Sequence, residues 1–181
     1  MGHDPQSLAG GLHLEEYLEW LGPDFDLLWL DVKNLNQENV DEVFARLYWL
    51  DKKYRLRSRT LVEGSFGSAL GIFAKNGWST ALFMTTDDLS RLAAGRDAAN
   101  IGGYFAGILQ QLKTHGLEGV SYDLMLDHLV RGFLLPFLPQ SCKCSAWRHA
   151  WKYTDADLLS KIKHYPHLSR LLIALDTLFD L

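Results

Sequence analysis

Asp31 and Lys33 stand two residues apart at the end of the apolar run Leu27-Leu28-Trp29-Leu30. Side chains alternate along a strand, so Trp29, Asp31 and Lys33 share one face while Leu28, Leu30 and Val32 share the other. An aliphatic face packs on helices, and the opposite face then delivers a carboxylate and an ammonium at the strand's C-terminal end. Barrels of alternating strands and helices build their active sites there. The same pair also suits an ion pair that merely finishes a strand. In Arg59-Thr60-Leu61-Val62-Glu63 the charged ends bracket Leu61 on one face, and Glu63 again falls at the C-terminal end. Its plainer reading is a capping or solvent-facing carboxylate before Gly64. Val120-Ser121-Tyr122-Asp123 repeats the placement, and a further run leads into Ala146-Trp147-Arg148-His149. Polar groups at one end of several successive strands are a stronger signal than any of them singly.

The elements that would carry these residues alternate. The pattern predicts a helix over Leu14–Leu21, stopped by Gly22-Pro23, and a strand over Leu27–Asp31. A helix over Gln37–Tyr54 follows, with Asn36 as its N-cap because a short side-chain oxygen can accept from free backbone N–H groups. Further strands are expected over Arg59–Glu63, Thr80–Met84, Gly119–Tyr122, Cys144–Trp147 and Leu171–Leu175. Helices are expected through Ala69, Ile72 and Phe73, then over Ala98–His115, Leu124–Phe133 and Asp155–His164. Apolar strands alternating with amphipathic helices predict a parallel α/β fold, either an open doubly wound sheet or a TIM-like barrel. Six strands in 181 residues fall short of the eight strands of a complete barrel. The expectation is a TIM-barrel-like fold lacking its first one or two βα units, over a single domain spanning residues 1–181.

Composition narrows the function. The chain is 48% hydrophobic and 22% charged, the balance of a folded domain. Its net charge of −4 argues against nucleic acid as a partner. No apolar run reaches the ~20 residues of a membrane helix, so no transmembrane segment is expected. The residues after Met1 lack the pattern of a signal peptide, which leaves the cytoplasm as the default compartment. Cys142 and Cys144 are too close to staple the fold and too few to hold zinc, so both are expected as small packing residues. Neither a Gly-x-Gly-x-x-Gly turn, a phosphate-cradling loop nor a Gly-x-Ser-x-Gly elbow is present. His13, His115, His128, His149, His164 and His167 show no metal-ligand spacing and are expected on the surface or in packing. Trp20, Trp49 and Trp78 are expected as core or lid packing.

In order, His3-Asp4-Pro5, Leu12-His13-Leu14-Glu15-Glu16-Tyr17-Leu18, Leu30-Asp31-Val32-Lys33, Leu61-Val62-Glu63, Gly119-Val120-Ser121-Tyr122-Asp123 and the 147–159 stretch resemble one family. It is the glycerophosphodiester phosphodiesterase and phosphatidylinositol phospholipase C-like superfamily of TIM barrels. The resemblance implies metal-assisted cleavage of a glycerophosphodiester or phospholipid head group. It matches His3 to the second of two catalytic histidines, Asp31 to a metal-binding acidic position and Lys33 to a lysine two residues later. Glu63 is implied as a further metal carboxylate, and Lys33, Asp123 and Trp147 as substrate contacts. A hard cation, Ca²⁺ or Mg²⁺, suits such oxygen ligands. Only Met1 and Gly2 precede His3, so the family's first histidine and its Glu-x-Asp pair are absent from this chain. That departure leaves a second expectation open, a non-catalytic α/β binding or assembly module. A homo-oligomer would cover the open sheet edge that missing strands leave.

Overall fold

A computed structural model of the chain describes residues 13–95, 98–149 and 166–174. Helix α1 (Leu14–Leu21) is followed by β1 (Leu28–Asp31), α2 (Val40–Tyr54), β2 (Thr60–Gly64), α3 (Gly67–Lys75) and β3 (Ser79–Phe83). Two helices, α4 (Thr86–Gly95) and α5 (Ala98–His115), then lead to β4 (Gly119–Asp123). After it come a run of short helical turns over 124–137, β5 (Lys143–His149) and β6 (Leu168–Ala174). The six strands form one sheet in the order β1-β2-β3-β4-β5-β6, every neighbouring pair parallel.

That order decides between the two expected architectures. Parallel crossovers are right-handed, so a strand order that never reverses piles its connections on one face of the sheet. A doubly wound sheet needs a reversal, and none occurs among the described strands. The sheet is instead curled into a half-barrel with helices on its convex side. Leu28, Leu30, Val62, Leu82, Val120, Tyr122, Cys144 and Ala146 pack there with Leu18, Leu47, Leu50, Leu70, Phe73, Phe105 and Leu112 from the helices. Leu61 and Ala81 are equally buried but stand apart from that cluster, on the concave face.

Local chemistry explains most element boundaries. In α1, Leu14, Tyr17, Leu18 and Leu21 follow helical spacing, and the Glu16 carboxylate accepts the His13 backbone N–H at 2.8 Å. Gly22 ends that helix at a φ of 71°, a backbone conformation that favours glycine. The α2 helix begins later than expected, with Asn39 rather than Asn36 at the N-cap position. The Asn36 side chain spends its oxygen on the turn just before, accepting from the backbone of Glu38 at 2.7 Å and of Asn39 at 3.3 Å. The helix expected over Leu124–Phe133 is broken into 3₁₀, α and π turns. The Asp123 carboxylate starts that run by capping Met125, and Pro136, which lacks an N–H, prevents a regular ladder at its end. Helix α4 has no counterpart among the expected elements; it is short, ends in Gly95 and buries only Leu89. The expected helix over Asp155–His164 lies outside the described residues.

Two aromatic expectations are corrected. Trp78 is buried, but Trp20 is 78% exposed and Trp49 about half exposed on the helical layer. Periodicity gives a helix's apolar stripe, not how much of a large ring a neighbour covers. The cysteines follow expectation, Cys144 buried and Cys142 half-buried, both free.

On the convex side, β6 is fastened by a polar cluster. Tyr122 Oη donates to Asp127 Oδ1 at 2.9 Å, and His167 Nε2 lies 2.8 Å from that oxygen and 3.2 Å from the phenol. Tyr122→Phe leaves Asp127 and His167 facing each other and is expected to cost about 1 kcal/mol in urea unfolding. Asp127→Ala removes the acceptor that both groups share and should cost more, ~2–3 kcal/mol.

Candidate functional site

The concave face carries the polar residues at the strand ends. In-register pairing sets Asp31 beside Glu63, Ser121 beside Ser145 and Asp123 beside Trp147. Strands two apart are separated by roughly 10 Å in a flat sheet. Glu63 of β2 nevertheless accepts a hydrogen bond from Ser121 Oγ of β4 at 2.6 Å. The curl brings the strands' inner faces together, and β3 presents only the small Ala81 in register with Glu63. The other Glu63 oxygen accepts from the Trp29 indole N–H of β1. One carboxyl group thus ties three strands together from inside the half-barrel.

Glu63 is 3% exposed. Burial pushes its carboxyl above the ordinary glutamate range; the Ser121 and Trp29 donors pull against that shift, Asp31 adds to it and Lys33 opposes it. Above this floor the mouth is charged and open. Lys33 Nζ lies 2.6 Å from Asp31 Oδ2, with side chains 53% and 37% exposed. The ammonium also lies 5.6 Å from the centroid of the Phe83 ring. Backbone bonds hold this segment past the end of β1: Val32 N–H donates to Glu63 O at 2.9 Å, and Leu35, fully buried, donates to Val32 O at 3.1 Å.

Asp31, Lys33 and Glu63 therefore come together as the sequence placed them. Asp123 stands on the same face but spends one carboxylate oxygen on the Met125 backbone N–H at 2.9 Å. Trp147, half-buried, is its in-register neighbour on β5. His3 lies outside the described residues. Arg59 is not a strand residue facing the mouth; it closes a 3₁₀ turn, and its guanidinium donates to the carbonyls of Pro23, Phe25 and Tyr54. Sequence reading missed the Trp29–Glu63–Ser121 unit. Alternation puts Ser121 on the same strand face as Asp123, but nothing local pairs it with Glu63 across β3.

The donor set bears on the implied cation. Ca²⁺ takes six or more oxygens, and Mg²⁺ needs near-octahedral geometry. Both Glu63 oxygens already accept hydrogen bonds, and the Lys33 ammonium sits against Asp31 where a cation would have to approach. Among the described residues, no three His, Cys, Asp or Glu side chains stand close enough to hold a metal. These residues do not build a divalent-cation site by themselves.

No helix among the described residues is long and apolar enough to cross a membrane. The chain matches no family model, no curated protein and no solved structure in the three comparisons made with known proteins.

Proposed function

We propose that the concave mouth receives a small phosphodiester or phospholipid head group, in a barrel of the phosphodiesterase lineage that lacks its first one or two βα units. The observation that carries this reading is the half-exposed Lys33 ammonium, held by a fixed loop and an aromatic ring above a polar floor. A phosphate oxygen can replace the Asp31 carboxylate as the partner of that ammonium, gaining a charge-assisted bond. The alcohol portion would lie toward Asp123 and Trp147, in-register neighbours on β4 and β5. Hydrolysis adds one requirement, a group that moves a proton to the leaving alcohol, and the resemblance assigns that role to His3.

The non-catalytic alternative also has an observation in its favour. Glu63, expected to serve a metal, is instead engaged by Ser121 and Trp29, and Asp31 is engaged by Lys33. A pocket that binds without turnover keeps the same contacts.

Binding and turnover are separated by one panel: glycerophosphocholine, glycerophosphoinositol and phosphatidylinositol, each with and without added Ca²⁺ or Mg²⁺. Lys33→Ala should weaken binding of the preferred member by about tenfold or more, since a charge-assisted bond contributes ~1.5–3 kcal/mol. Its folding stability should change by under ~0.5 kcal/mol, because both members of the surface pair are well exposed. Metal-dependent turnover lost in His3→Ala supports hydrolysis; binding without turnover supports the alternative. Absence of binding by every member contradicts the proposal.

A further inference from the structure

A crossover between parallel strands needs one helix, but β3 and β4 are joined by two, α4 and α5. Helix α4 buries only Leu89, so it adds little to the core. Against α5 it forms a cleft of about 380 Å³, lined by Asp88, Arg91 and Leu92 of α4 and Tyr104 of α5. That is the size of a small-ligand site. Leu92 and Tyr104 are half-buried and rest on the core, giving an aliphatic and an aromatic wall. Burial pushes the Tyr104 phenol up to about 12, with Asp88 adding to the shift, so the ring stays uncharged. The rim carries both signs. The Arg91 guanidinium donates to Asp88 Oδ1, with side chains 78% and 46% exposed. Thr85 donates to the other Asp88 oxygen at 2.5 Å, which fixes the carboxylate whatever Arg91 does. That bond and the nearby guanidinium hold Asp88 below the ordinary aspartate range, so it is charged at neutral pH.

A ligand with only an anionic end would be repelled by Asp88, and one with only a cationic end by Arg91. A zwitterion satisfies both, its carboxylate on the guanidinium fork and its ammonium on Asp88. A primary ammonium brings three N–H donors to that carboxylate, whereas a quaternary one brings none. We propose that the cleft binds an α-amino acid with an apolar side chain. Its charged ends exchange for the Asp88–Arg91 contact, an exposed ion pair that contributes little to the fold. Its side chain lies between Leu92 and Tyr104. This inference is independent of the phosphodiester reading, which concerns the concave face.

The test is an amide-resolved NMR titration of the ¹⁵N-labelled full chain with four probes. They are L-phenylalanine, 3-phenylpropanoate (no ammonium), phenethylamine (no carboxylate) and phosphocholine. Phenylalanine should shift the amides of Asp88, Arg91, Leu92 and Tyr104 saturably, and bind roughly tenfold or more tightly than the other three. Arg91→Gln should erase the preference over phenethylamine. Asp88→Asn, which keeps an acceptor for Thr85, should erase the preference over 3-phenylpropanoate. Both changes lie on the surface and should leave Tm within ~2 °C of the parent. Equal binding of phenylalanine and either truncated probe by the native chain overturns the site, as does a preference that survives in both variants. Equal or tighter binding of phosphocholine overturns the amino-acid assignment. No saturable shift of the cleft amides by phenylalanine at millimolar concentrations overturns the inference outright, and leaves the reading of the mouth as it was.

Discussion

Glu63→Ala is expected to destabilise the fold by about 3 kcal/mol, or roughly 6–12 °C in Tm for a chain of this size. The loss has two sources. Truncation leaves the Ser121 hydroxyl and the Trp29 indole N–H without their acceptor inside the half-barrel, and it opens a void beside Leu61 and Ala81. Glu63→Gln should behave differently. Its amide oxygen can accept from Trp29 while its NH₂ donates to Ser121 Oγ, so the cross-strand tie survives in altered polarity. The pair also reports on charge. Because burial raises the folded-state pKa of Glu63, the native chain keeps a proton that the unfolded chain has already released. Its contribution to stability is fully present below the unfolded glutamate value and declines as pH rises through the folded one. Glu63→Gln cannot titrate and should lose that decline, so its stability relative to the parent improves with rising pH. Thermal melts of the parent and both variants across the acidic to neutral range check each part. An unchanged Tm in Glu63→Ala would remove Glu63 from its place as the tie between β1, β2 and β4.

Gly119→Ala is expected to be at least as damaging. A Cβ on Gly119 would stand 2.8 Å from the carbonyl carbon of Lys143 and still closer to its oxygen. Both obstacles are backbone, so relief requires parting β4 from β5, the pair that carries Ser121, Asp123, Ser145 and Trp147. Overpacking a side chain costs ~1–3 kcal/mol, and displacing a ladder adds to that. We expect a loss of more than ~3 kcal/mol, or failure to accumulate folded protein. Gly107→Ala is the control. Gly107 is exposed in the middle of α5, where an added methyl would have no atom within 4 Å, and alanine there should stabilise by ~0.5–1 kcal/mol. A Gly119→Ala chain as stable as its parent would show that β4 and β5 are spaced more widely than their register requires.

How far the sequence could be read follows from which signals are local. The six strands were visible because their apolar runs are short and bounded by turn residues, although β6 starts at Leu168, three residues before the expected Leu171. The β1 faces were visible from alternation alone, with Leu28 and Leu30 in the helical core and Trp29 and Asp31 on the other side. The Asp31–Lys33 pair was legible for the same reason, being two residues apart on one strand. The Glu63–Ser121 bond joins residues 58 positions apart across an intervening strand, so no local pattern encodes it. It depends on curl, and curl depends on strand order. The role of Asp123 was hidden by competition, since a carboxylate at a strand end can cap the next turn as readily as face a ligand. Ser121 was inconspicuous because small polar residues are common in strands, and its bond to Glu63 becomes visible only when the strands are placed.

The proposed function puts a phosphodiester in the concave mouth, against Lys33. An amide-resolved NMR titration of the ¹⁵N-labelled chain with glycerophosphocholine and glycerophosphoinositol tests it most directly. Saturable shifts in the amides of Asp31, Lys33, Phe83, Ser121 and Ser145 and in the Trp29 indole N–H, abolished by Lys33→Ala, are the predicted result. Shifts confined to the outer cleft of about 380 Å³ lined by Asp88, Arg91, Leu92 and Tyr104, or no saturable shift at any accessible concentration, would contradict it.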